Sequence, residues 1–386
     1  MSGHRLVVGG GAFGLSAALE LARRGHSVEL LDAGSVPHPD ASSTDASKVV
    51  RMDYGSDGFY ADLARVALDR WQALNERWGE RVYHMTGLLI LAAGGLDGEG
   101  FEADSWRTLL ERGASLERLS RPAVAERFEQ WLRFEFEEAY FNPLGGYVES
   151  GHAVALLRRE AIAAGVRLRE GVRCTELHRD GARVEGGELL SADTVIVAAG
   201  AWTPFLLPEL EGAMWATGQP VLFFRPNEPQ LFEPERFPVW CADIANTGRY
   251  GFPLNRDGLV KVGHHGAGTP FRPGDPLAVS DAQRDACVEF VRETFPGLAD
   301  AEVAQTRLCL YCESWDGDFL IDHHPDRPGL VVAAGGSGHG FKFAPVLGEI
   351  VADVVERKPN AAGSRFAWRE PGRRRTEQTR QAAGGD

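Results

Sequence analysis

Two side chains able to do chemistry stand on either side of one apolar run. Cys309 supplies a thiol and Lys342 an ammonium, and between them Leu330-Val331-Val332-Ala333-Ala334 reads as a buried strand running into Gly335-Gly336-Ser337-Gly338. A glycine turn beside a cation suits a flat or anionic group lying against the backbone. Cys309 also forms a Cys-x-x-Cys with Cys312. Zinc would need a second ligand pair at a workable spacing, which Cys174, Cys241 and Cys287 do not supply. A thioredoxin-type pair belongs at a helix N-terminus, whereas Thr306 to Tyr311 reads as a strand. A plain buried cysteine is a further reading. Metal ligation by His323-His324 is not expected either, because neighbours on a strand point to opposite faces.

The second chemical signal is Gly9-Gly10-Gly11-Ala12-Phe13-Gly14. It follows an apolar strand, Arg5 to Val8, and opens a helix, Leu15 to Gly25. The next strand, Ser27 to Asp32, ends in an acid 18 residues beyond Gly14. That βαβ context turns a common glycine pattern into a dinucleotide fingerprint. Gly9 allows the tight turn, Gly11 lets a pyrophosphate approach the helix N-terminus, Gly14 permits close helix–strand packing, and Asp32 accepts from the ribose hydroxyls.

The chain that must position these groups has 386 residues, 44% hydrophobic and 25% charged, the composition of an ordinary globular protein. At about 150 residues per domain it makes two or three domains. No apolar run reaches the roughly 18 residues of a membrane span and no leader pattern opens the chain, so a cytoplasmic protein without a membrane partner is expected. The formal charge of −14 argues against a nucleic-acid partner. The 5 scattered cysteines do not make a disulfide framework.

Pro37 to Lys48 reads as a loop over the nucleotide, leading to Lys48-Val49-Val50-Arg51. Tyr60 to Trp78 reads as a surface helix with its aromatics in the core. After a strand at Leu88 to Leu91 the pattern is helical and charged as far as about Tyr140, with Ser120 before Pro122 marking a helix start. Phe141 to Gly146 is a turn cluster where the chain is expected to cross between domains. Helix Ala153 to Ala164 leads to a strand at Val166 to Leu168, and Thr194 to Ala199 is an apolar run of parallel-sheet type. Beyond Pro208 come short strands at Val221–Phe224, Tyr250–Pro253 and Leu259–Gly263, an antiparallel signature. Helices follow at Ser280 to Thr294 and Pro345 to Val355. The expected division is a discontinuous nucleotide domain (1–85, 141–210 and 315–358), a second domain (86–140 and 211–314), and a solvated tail (359–386) that contains Arg373-Arg374-Arg375.

The Gly9 fingerprint, Lys48-Val-Val-Arg51, Tyr250-Gly-Phe-Pro253, Lys261-Val-Gly-His-His265, Cys309-Leu-Tyr311 and Gly338-His-Gly-Phe-Lys342 occur in a familiar order. From about Leu6 to Val355 the chain resembles the monomeric sarcosine oxidase family, which includes N-methyltryptophan, pipecolate and fructosyl-amino-acid oxidases (amadoriases). The resemblance implies an α/β fold with an α+β substrate domain. A Rossmann-like FAD-binding domain would carry a second domain built on an antiparallel sheet, as in glutathione-reductase-like and D-amino-acid-oxidase-like proteins. It implies an FAD-dependent oxidoreductase acting on the CH–NH group of an N-substituted amino acid, sarcosine-like, giving an imine and reducing O2 to H2O2. It also implies a flavin attached covalently to Cys309, and a monomer.

Residue roles follow from the same resemblance. Lys261, otherwise an edge-strand lysine snorkelling to water, falls beneath the flavin, where a cation stabilises the charge passed to dioxygen. Arg51 and Lys342 match the pair that holds the substrate carboxylate, a planar fork and a point charge; the alternative for Arg51 is a surface ion pair. Tyr250 and His265 match residues lining the site, where a His can take or relay the amine proton. Gly338, His339 and Gly340, with Lys342, belong to the close backbone approach to the flavin. The acid that amadoriases generally place at His265 is absent, which argues against that branch. Lys48, on the substrate side, argues for it, since sarcosine oxidases tend to have Arg there. A fructosyl-amino-acid oxidase therefore stays open, as does a dehydrogenase with a protein or quinone acceptor, against which Lys261 speaks.

Overall fold

A computed structural model describes residues 3–130, 134–375 and 380–381. The expected N-terminal unit forms as strand His4–Val8, helix Ala12–Arg23 and strand Ser27–Leu31. The two strands run parallel, from His4 opposite Ser27 to Val8 opposite Leu31. Around them stands a six-stranded sheet in the order Leu320–His323, Leu330–Ala334, Thr194–Val197, His4–Val8, Ser27–Leu31, Arg167–Arg169. Every neighbouring pair is parallel except the edge pair, Leu320–His323 with Leu330–Ala334. A parallel strand is covered on both faces, so it needs apolar residues at successive positions, and Ile196, Val197, Val331 and Val332 are all buried. Helices Ala12–Arg23, Ser150–Ala163 and Ala344–Val355 join one core with that sheet through Ala17, Leu21, Leu157, Leu347 and Val351.

The second sheet has nine strands and is antiparallel apart from Leu88–Ala92 beside Val239–Ala242. Its longest pairing joins Met214–Arg225 to Glu302–Ser314, from Met214 opposite Ser314 to Arg225 opposite Glu302. Both strands outrun the expected Val221–Phe224 and Thr306–Tyr311. Thr217-Gly218-Gln219-Pro220 interrupts the apolar signal, and ladder pairing with the partner strand carries the structure through it. A small sheet of Lys48–Val50, Gly146–Val148 and Tyr83–His84 takes up Lys48 after the loop that follows residue 37, with Arg51 just beyond its first strand.

Two expectations are corrected. The stretch from residue 92 to 140 is not continuously helical: helix Phe101–Glu111 is followed by strand Glu117–Ser120, helix Arg121–Arg127 and strand Glu138–Asn142. Phe141 and Asn142 therefore belong to a strand paired with Leu88–Ala92, and the turn starts after them. Neither Glu-Arg-Leu-Ser nor Glu-Ala-Tyr-Phe-Asn carries a clean two-residue alternation, and each becomes a strand through its pairing partners. Residues 131–133 of that stretch lie outside the described residues.

The start of the tail departs from the solvated end expected of it, although residues 370–375, with Arg373-Arg374-Arg375, are exposed. Phe366 is buried among Tyr60 and Phe319, Arg365 bridges Asp57 and Asp318, and Arg374 stacks 3.7 Å from the Trp215 ring centroid. Arg380 donates to buried Glu313 at 2.7 Å. Residues 376–379 and 382–386 of the tail lie outside the described residues.

Candidate active site

A cavity of about 340 Å³ lies at the carboxyl ends of the parallel strands, lined by Gly9, Gly10, Gly11, Asp32, Ser43, Cys312 and the Gly335–Gly340 turn. This is the crevice where open α/β sheets bind nucleotides. Gly9 has φ +108°, and a Cβ there would stand 2.4 Å from Ala198 O. A Cβ on Gly14 would stand 1.8 Å from Gly9 O, so helix Ala12–Arg23 can start only where glycine lets it touch the turn. Gly11 is different: it faces the cavity, and a Cβ would meet nothing nearer than Ser43 Oγ at 3.2 Å.

Asp32 accepts from Gly10 N at 2.8 Å and from Gly34 N at 3.0 Å, leaving lone pairs on both oxygens for ribose hydroxyls. Burial pushes its pKa up, against those two N–H bonds. At the other end of the cavity the backbone at Gly338 has φ +80°, and a Cβ there would run into the Tyr311 ring at 2.3 Å. Bare backbone at a helix N-terminus, a carboxylate beyond it and a glycine wall at the far end fit FAD.

A smaller cavity of about 70 Å³ shares Lys48, Tyr311, Gly338 and Phe341 with the first. Arg51, Tyr250, Lys261, His265, His339 and Lys342 line it, with Val49, Cys241, Ile244 and Phe252. The chain thus brings together residues as far apart as Lys48 and Lys342. Lys342 Nζ donates to Tyr54 OH at 2.9 Å and to His339 O at 3.0 Å, while Trp71 Nε1 holds Lys342 O at 2.8 Å. Arg51 lies over the Tyr54 ring, 4.9 Å from its centroid. Tyr54 OH also meets His339 Nδ1 at 3.2 Å, so one phenol ties the lysine to the glycine turn. His323 and His324 turn away to separate partners, Val354 O and Glu209.

The electrostatics centre on a residue that sequence reasoning missed. Asp45 Oδ2 accepts from Lys261 Nζ at 2.7 Å and from Lys48 Nζ at 3.1 Å. Lys48 Nζ also donates to Cys309 Sγ at 3.1 Å. Burial raises the Asp45 pKa, but Lys261, Lys48 and Arg307 outweigh it and hold the carboxyl well below its usual range. Burial works the other way on Lys261, pulling it down to about 8 against the support of Asp45. Lys48 is raised: burial opposes its charge, but Cys309 and Asp45 favour it. Cys309 itself lies off the walls of both cavities, buried with Val221, Phe223 and Leu259, and reaches them through Lys48.

A compositional signal points to the same centre. Of 41 Lys and Arg residues, only Lys48, Lys261, Lys342 and Lys358 are lysine, and the first three line the smaller cavity. Arginine carries the outer charge, so each lysine stands out.

Comparison with known proteins agrees with this architecture. The family model for FAD dependent oxidoreductases (DAO) matches residues 5–354. The chain is 28% identical over 359 residues to a monomeric sarcosine oxidase of a Bacillus species, covering 91% of each. It is 30% identical over 369 residues to the N-methyl-L-tryptophan oxidase of Salmonella arizonae, covering 92% of this chain and 95% of that one. Among solved structures, fructosamine oxidase (Amadoriase II) of Aspergillus fumigatus superposes with a TM-score of 0.83 at 25% identity, over 99% of this chain and 94% of that one. Glycine oxidase of Geobacillus kaustophilus, at 23% identity and TM-score 0.81 over 96% of this chain and 100% of that one, shares the fold. With the βαβ cradle, the glycine wall and the cluster of cations already in place, these matches establish that the chain belongs to the FAD-dependent oxidoreductase family.

Proposed function

We propose that the enzyme oxidises the C–N bond of a small N-alkyl amino acid of the sarcosine kind to an imine, which water then hydrolyses. The carrying observation is the smaller cavity: about 70 Å³, bounded by Arg51 and Lys342 and sharing its wall with the glycine-lined cavity. The two cations suit the carboxylate of an amino acid. FAD, which the Gly9–Gly11 turn and Asp32 would hold, would supply the two-electron chemistry that links amine oxidation to reduction of O2 to H2O2.

The chain's own residues do the rest. Arg51 presents a planar fork and Lys342 a point charge to the substrate carboxylate. Tyr250 and His265 face the amine, and His265 takes its proton so that the lone pair is free. Lys261, over the Phe252 ring at 4.5 Å and nearly sealed from water, holds positive charge where dioxygen is reduced, in a dry site where such charge counts most. Cys309 is the proposed point of covalent attachment. The protein acts as a cytoplasmic monomer, its folded parts dividing near residues 85, 140, 210 and 315.

Peroxide release is the test, compared across sarcosine, other N-methyl amino acids, pipecolate and fructosyl-glycine. Turnover of sarcosine or a small N-methyl amino acid is expected. Turnover of fructosyl-glycine alone would replace this reading with the amadoriase one, which Lys48 favours. Substrate-reduced enzyme that yields no peroxide would replace the oxidase by a dehydrogenase. Yellow colour that stays with the acid-precipitated protein is expected from attachment at Cys309; flavin in the supernatant refutes it.

A further inference from the structure

Asp45, its side chain buried, presents one carboxylate oxygen to two ammonium groups. The Lys261 and Asp45 side chains are each 1% exposed, and Lys48 Nζ competes for the same Oδ2. The carboxylate cannot swing away. Its other oxygen accepts from Ala46 N at 2.7 Å, and Asp45 O accepts from Gly151 N and Ser150 Oγ, both at 2.9 Å. Lys261 donates besides to Ser47 O at 2.5 Å. Other charged or titratable groups face the cluster: Arg307 and Cys309 from strand Glu302–Ser314, and Tyr250 from strand Arg249–Leu254. Arg307 and Lys48 are cations, so Asp45 is the anion that supports Lys261 directly.

We propose that Asp45 is a positioning residue that keeps the Lys261 side chain protonated, and that Lys48 competes with Lys261 for it. A buried ammonium beside a second cation and without a carboxylate would shed its proton. The inference rests on the reading of Lys261 as the cation that serves dioxygen, but the charge relation can be tested without any substrate.

Because the chain contains only Lys48, Lys261, Lys342 and Lys358, labelling lysine with carbon-13 at the ε position resolves the titration of each in the holoenzyme, with Lys261→Met assigning the signal. In the wild type the Lys261 signal is expected to titrate near pH 8. Asp45→Asn moves it to lower pH by one unit or more, and Asp45→Glu restores it. Lys48→Met moves it the other way, to higher pH, which no general loosening of the fold would do. An unchanged Lys261 titration in folded Asp45→Asn overturns the proposal. If that variant does not fold, a downward or absent shift in Lys48→Met does so.

The second readout is the rate at which O2 reoxidises the reduced holoenzyme. At neutral pH Asp45→Asn lowers it on the order of tenfold, with recovery as the pH falls and Lys261 regains its proton. A slowing that is equal at every pH would be structural and would count against the proposal. Failure of the substrate assignment leaves the lysine titrations intact, so the two failures are distinguishable.

Discussion

Arg51 and Lys342 reach the smaller cavity with different heads and different anchors. Lys342 is held through Tyr54 OH and His339 O, and Arg51 lies over aromatic faces at Tyr54 and Phe101. A carboxylate meeting both gains two parallel bonds from the guanidinium and one from the ammonium. Arg51→Ala is therefore expected to lower kcat/KM about a hundredfold or more, mostly through KM, with flavin content unchanged. Arg51→Lys keeps the charge without the fork and recovers only part of the loss. A substrate panel in which Arg51→Ala costs less than a factor of two would remove the carboxylate from this end of the cavity.

These residues were singled out by the family resemblance, which Lys48-Val-Val-Arg51 and Gly338-His-Gly-Phe-Lys342 carry. Asp45 was not, because it sits in a loop rich in Ser, Asp and Ala, where one more acid looks like turn chemistry. Only the approach of Lys261, 216 residues away, gives it a partner.

At the scale of elements, the turn between strand His4–Val8 and helix Ala12–Arg23 decides whether the cofactor cavity exists. Gly14→Ala places a Cβ 1.8 Å from Gly9 O, which is backbone and cannot step aside. The helix must retreat from the turn. Both a lower melting temperature and a purified protein depleted of flavin are expected, read from thermal unfolding and from the ratio of flavin to protein absorbance. Full flavin content in Gly14→Ala would show that the cradle tolerates the shift.

The βαβ unit was readable because its periodicities are local: an apolar strand, a glycine turn, a helical repeat and an acid follow one another within a short span. Strand Glu138–Asn142 was not. Its pattern, Glu-Ala-Tyr-Phe-Asn, has no clean alternation, and it becomes a strand by pairing with Leu88–Ala92 on one side and Glu117–Ser120 on the other.

For the whole molecule, the C-terminal segment matters more than its composition suggests. Phe366 enters the main core and contacts Phe59, Tyr60 and Phe319, while Arg365 ties Asp57 to Asp318. Phe366→Ala should cost about 3–5 kcal/mol of unfolding free energy, the range for a buried Phe replaced by Ala. A denaturant titration that shows an unchanged midpoint would place Phe366 outside the cooperative core. Farther along, Gln381 N donates to His265 O at 3.1 Å, and its side chain meets His264 at 2.6 Å. The chain end thus returns to the strand that carries Lys261.

By itself the sequence determined the nucleotide cradle and the parallel strands around it, because those depend on short-range patterns; the cations were singled out by the family resemblance. Tertiary structure alone decided how the charges are shared, that Cys309 reaches the cavities through Lys48, and that Phe366 of the tail joins the core. The physical reason is that desolvation and ion pairing depend on what lies within a few ångströms in space, and Lys261 meets Asp45 from 216 residues away in the chain.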